Sequence, residues 1–114
     1  MKLQIAIFIL LLAVLLISGC TTEETGPAIS ESEIELACIQ LCQNAFNMGQ
    51  DLSKGPCLSD DDPDWTIENW VCDVAHSPRQ EVDNDPANQC QDYREGRARH
   101  FIEVDPDCNL IKSV

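Results

Sequence analysis

Cysteine, histidine and aspartate are the chemically capable residues of this 114-residue chain, and their spacing suggests several chemistries. Cys38-x₃-Cys42 and Cys72-x₃-His76 together offer four ligands of the type that bind zinc tetrahedrally. Using three of the six later cysteines for zinc would leave Cys57, Cys90 and Cys108 as an odd remainder. Three disulfides account for Cys38, Cys42, Cys57, Cys72, Cys90 and Cys108 together, so the six read as a disulfide framework with zinc as the alternative. Six cysteines allow fifteen pairings. Only Cys38 with Cys42 is excluded, because side chains one turn apart on a regular helix diverge too far for S–S geometry.

Asp60, Asp62 and Asp64 alternate along one loop and suggest calcium. An EF-hand would require Gly where Trp65 stands and Glu where Val71 stands, so that template fails and an acidic turn is the simpler reading. Asp73, His76 and Ser77 contain the residue types of a hydrolase, but neighbours on a strand point to opposite faces and no glycine-flanked serine is present. His76 and His100 would meet if their two segments paired as strands. Trp65 and Trp70 could stack on a sugar, although packing is the simpler role for both. Arg94, Arg97 and Arg99 form the one local basic cluster, read as pairing with the domain's own carboxylates. The expectation is a non-catalytic domain without a cofactor.

The seventh cysteine stands apart. Residues 3–17 are apolar except for Gln4, follow Lys2, and make a run suited to a secretory signal and short for a membrane-spanning helix. Ile17-Ser18-Gly19-Cys20 at its end resembles the lipobox of bacterial and archaeal lipoproteins. The resemblance implies cleavage between Gly19 and Cys20 and a diacylglycerol on the Cys20 sulfur. Two acyl chains suffice for stable anchoring. The implied location is the outer face of the cell membrane, or the periplasmic side of an envelope. The membrane, through the lipid on Cys20, is then one partner; a protein or small-ligand partner is left open.

Cleavage would remove Lys2 and leave six basic against 20 acidic side chains, a net of −14. That charge excludes nucleic acid as a partner. Leu, Ile, Val and Phe supply only 18 of the remaining 95 residues, a proportion at which chains usually stay disordered unless cross-linked. The disulfides are therefore expected to hold the domain together.

The elements that position these groups can be read in outline. Residues 1–19 form the signal, 20–29 a lipidated cysteine and tether, and 30–114 the disulfide-rich domain. Ser30 with Glu33, or Ser32 with Glu35, opens a helix in a capping box. Ile34, Cys38, Leu41, Cys42, Ala45 and Met48 continue it at three- and four-residue spacing to Gly49. Residues 68–75, 99–104 and 109–113 read as strands, and 77–89 as a long polar loop. The fold class expected is α+β, with one helix packed on a small antiparallel sheet. A helix carrying Cys-x₃-Cys resembles the cysteine-stabilised αβ motif of defensin-like peptides, but that motif needs a Cys-x-Cys strand and here the strand offers only Cys72. The function class expected is binding or surface display. A metal-binding or redox surface protein is the alternative, and an exported hydrolase a remote third.

Overall fold

A computed structural model describes Gly19 and residues 26–114. Cys20 and most of the segments expected to be a signal and a tether lie outside the described residues.

The first element among the described residues, α1 (Glu31–Asn47), begins as its sequence dictates. The Ser30 side chain accepts from the Glu33 N–H, and the Glu33 carboxylate accepts from the Ser30 N–H at 2.8 Å. Each satisfies a donor that the first turn would otherwise leave unpaired. Met48 caps the far end, and Gly49 follows with φ +82°, the left-handed turn that glycine adopts without a Cβ clash. Ile34, Cys38, Leu41 and Cys42 form the buried stripe.

Three strands follow: β1 (Trp70–Val74), β2 (His100–Val104) and β3 (Leu110–Ser113), in the spatial order β1-β2-β3. The expected α+β class, one helix on a small sheet, is the architecture found. The sheet is not wholly antiparallel, however. β1 and β2 run parallel, Trp70 opposite His100 through Val74 opposite Val104, while β2 and β3 are antiparallel. The length of the connection permits this. A hairpin joins antiparallel strands through a few residues, whereas parallel neighbours need a crossover of a dozen or more, and residues 75–99 provide it. Within that crossover lie two 3-10 turns, Glu81–Asn84 and Pro86–Asn88, and a short helix, α2 (Gln91–Arg94). The other edge of β1 is covered by residues 56–59, through Leu58 N to Cys72 O at 2.9 Å and Val74 N to Pro56 O at 3.0 Å.

Both faces of the sheet are therefore occupied. Cys72, Val74, Ile102 and Val104 pack with Ile34, Cys38, Leu41 and Cys42 of α1. Ser113, at the register position beside Ile102, donates to Glu31 and Glu35 of the helix. The opposite face carries a smaller cluster of Val71, Cys90 and Ala98, with Cys57 and Phe101 against it. Three disulfides join the layers: Cys38–Cys72 and Cys42–Cys108 tie α1 to β1 and to the turn before β3, and Cys57–Cys90 pins the crossover beside β1. All six later cysteines are paired, and Cys38 and Cys42 bond to different partners, as a regular helix requires.

Candidate functional site

The crossover covers only part of the second sheet face and leaves a cavity of about 490 Å³, within the range of small-molecule sites. Strand alternation and register determine its floor. Asp73, Glu103 and Lys112 are register neighbours across the three strands, and Val71 lies beside Phe101 in the next row. All five line the cavity. Cys90 and Tyr93 of the crossover form a wall, with the Tyr93 ring edge-on to Phe101 at 5.1 Å between centroids. Arg79 and Arg94 complete the lining.

Asp73 is the unusual member. Its Oδ1 is sealed from solvent and has no hydrogen-bond partner. Burial, reinforced by the neighbouring Glu103 charge and opposed by Arg79, pushes its carboxyl up to about 8. Glu103, 8% exposed, is satisfied instead: Arg79 Nη1 donates to its Oε1 at 3.1 Å. The guanidinium is oriented by Asn84 Oδ1 at 2.8 Å and the Asp83 carbonyl at 3.0 Å. The floor thus sets an Asp73 carboxyl held protonated by its surroundings at neutral pH beside a Glu103 carboxylate already paired with Arg79.

The basic residues around it differ in their engagements. Arg97 is bound to Asp92 and Glu95, the self-pairing expected of the cluster. Arg94, in the last turn of α2, has no carboxylate partner among the described residues. Neither has Lys112, whose Nζ lies 5.3 Å over the Phe101 ring in a cation–π contact.

The other candidates separate. The zinc set does not assemble, because the Cys38, Cys42 and Cys72 sulfurs are all in disulfides and His76 Nδ1 is held by Asp83 Oδ1 at 2.9 Å. Among the described residues the one cluster of three ligand-type groups is Cys57, Asp73 and Cys90, within 4.8 Å of one another. Its two sulfurs are bonded to each other, so it has no thiolate for a metal. Asp60 and Asp62 hold backbone N–H groups instead: Asp60 Oδ2 accepts from the distant Gln91 N–H at 2.9 Å, and Asp62 Oδ1 from the neighbouring Asp64 N–H at 2.8 Å. Asp60, Asp62 and Asp64 do not converge on a common point.

His76 and His100 do not meet, because parallel pairing places one after the end of β1 and the other at the start of β2. His100 stacks on Trp70, 4.6 Å between centroids, while Trp65 Nε1 donates to the Trp70 carbonyl at 3.0 Å. Both indoles pack against the main core. The Asp73, His76 and Ser77 grouping also dissolves, since His76 turns to Asp83 and Asp73 faces the cavity.

Sequence reasoning weighed Asp73 only as part of that grouping. It overlooked Glu103, Phe101, Tyr93 and Lys112. The signal that marks Phe101 and Glu103 is the alternation in 71–74 and 101–104, which places an acid on each strand among apolar neighbours; no comparable local pattern marks Tyr93 or Lys112. No helix among the described residues is long and apolar enough to cross a membrane. The three disulfides are consistent with an extracytoplasmic location. The chain matches no protein-family model, and neither a curated protein nor a solved structure is significantly similar to it.

Proposed function

We propose that this chain is a lipid-anchored, exported protein whose disulfide-stapled domain binds a small ligand, without catalysis, in the cavity on the second face of its sheet. The observation that carries the binding role is the Asp73 carboxyl, lodged in the cavity lining with a sealed and unpartnered Oδ1. Burying a polar oxygen without a partner costs about 1–3 kcal/mol. An apolar residue in its place would avoid that cost, so an acid kept at this position in the cavity lining fits a role other than packing.

Cysteine arithmetic supports the anchor. Six cysteines are consumed in pairs, and Cys20, the one cysteine outside those pairs in the sequence, stands at the end of the signal-like run. Intact mass of the membrane-extracted protein, with and without reduction, tests this half. Cleavage before Cys20, a diacylglycerol adduct and a gain of six hydrogens on reduction are expected. Unchanged membrane attachment and processing in Cys20→Ser would refute the anchor.

The binding half is tested by titrating the processed protein in detergent with small aromatic compounds while following the Tyr93 environment. Saturable binding abolished by Val71→Trp, which fills the floor, is the expected result. Binding unaffected by Val71→Trp would place the ligand elsewhere.

A further inference from the structure

Three of the six cations outside the signal, Arg79, Arg94 and Lys112, line this one cavity in a chain that carries 20 acidic residues. Resting on the binding role above, we propose that the cavity takes a small organic anion with a flat apolar body: its acidic group lies between Arg94 and Lys112, its body packs on Phe101 and Val71, and an acceptor atom meets Asp73.

Charge and placement favour an anion over a cation. Arg94 and Lys112 are exposed and lack carboxylate partners among the described residues, so they form the mouth. Arg79 has already neutralised Glu103. A cation entering would face two uncompensated positive charges and find no uncommitted carboxylate at neutral pH. An anion would gain charge-assisted hydrogen bonds at the mouth. The molecule's overall negative charge opposes it only weakly, because charges beyond about 8 Å are largely screened at physiological salt. Phe101 and Tyr93, backed by the buried Val71, provide an apolar surface that inorganic anions would not use.

Asp73 adds selectivity for protonation. While neutral, it can donate to an acceptor on the ligand. Once ionised, it places a negative charge in the pocket. The groups facing it are Glu103 of β2, Arg79 and Asp83 of the crossover, and Asp60 of the loop before β1, with Arg94, Tyr93 and Lys112 around the same space. Anion affinity should therefore fall as pH rises through about 8.

The test uses three matched probes on the processed protein in detergent: 2-naphthoate, 2-naphthylmethylamine and 2-naphthylmethanol. Naphthoate should bind at least tenfold more tightly than the other two at pH 7. Arg94→Gln and Lys112→Gln should each weaken it about tenfold, the scale of one charge-assisted hydrogen bond, while leaving the alcohol unaffected. Asp73→Asn, which cannot ionise, should flatten the pH dependence of naphthoate affinity between pH 7 and 9, whatever its effect on the affinity itself; a decline that persists in the variant would remove Asp73 from the site. Equal or tighter binding of the amine or the alcohol would overturn the anion assignment while leaving the cavity's binding role intact. Failure of all three probes would overturn both.

Discussion

Asp83 accepts twice from His76, at 3.0 Å from the backbone N–H and 2.9 Å from Nδ1, and so fixes the chain where it leaves β1. The Gln80 N–H donates to the same carboxylate at 2.9 Å, and only 2% of Asp83 is exposed. Burial works to raise the carboxyl's pKa, but these three donors outweigh it and hold the value below the ordinary one. A lowered folded value contributes stability that is present above the unfolded pKa of about 3.9 and is lost as pH falls through the folded value. Asp83→Asn should cost about 1–3 kcal/mol near neutrality, since donors become poorly satisfied. The gap between variant and parent should shrink below about pH 4. Urea unfolding with disulfides intact, repeated from pH 3 to 7, measures both.

Gly55 occupies the space beside that carboxylate. Its φ is +67°, and a Cβ there would lie 2.4 Å from Asp83 Oδ1 and 3.0 Å from the Val74 carbonyl. Both the left-handed backbone and the close approach require glycine. Gly55→Ala should destabilise by about 3 kcal/mol, combining roughly 1–2 for the backbone with disturbed bonds to Asp83. Part of that penalty should disappear in an Asp83→Ala background, so a double-mutant cycle should show coupling above about 0.5 kcal/mol.

The disulfides should outweigh the core. Cys42–Cys108 spans 66 residues and Cys57–Cys90 spans 33. Loop entropy assigns about 4 kcal/mol to the longer closure and roughly half a kcal/mol less to the shorter. Cys42→Ala with Cys108→Ala also removes two half-cystines from the main cluster, so it should be the costlier pair. Full reduction should unfold the domain, read as loss of near-ultraviolet circular dichroism.

How far these features were legible in the sequence depends on whether local chemistry or distant pairing produced them. The α1 start was readable because Ser30 and Glu33 are three residues apart and complete their capping box alone. β1 and β2 were readable as strands from their β-branched and aromatic content, to within one or two residues at each end. Their relative direction was missed because antiparallel pairing was taken as the economical choice. The 25-residue span from Ala75 to Arg99 was the available indication of a crossover. The cavity was not legible, since Asp73, Glu103 and Lys112 become neighbours only through that pairing. The same applies to Asp83, which looked like one acid in a polar loop and is buried against residues from three segments.

Asp73 should be a stability liability that worsens with pH. Its folded value of about 8 stands above the unfolded value near 3.9, the reverse of Asp83. Between those limits the folded state binds more protons than the unfolded one, so stability falls as pH rises and levels off above about 8. Asp73→Asn removes the ionisation while keeping the shape. The variant should therefore match the parent near pH 4 and exceed it by a margin that grows to several kcal/mol at pH 8. The parent-minus-variant difference isolates this one group from the other acidic residues, which titrate alike in both proteins. Denaturant midpoints at pH 4, 6, 8 and 9 measure the slope. A difference independent of pH would show that Asp73 titrates alike in the folded and unfolded states, and a difference of the opposite sign that its charge is favourably paired. A gain in stability on replacing Asp73 is what a group retained for binding, at the expense of packing, should display.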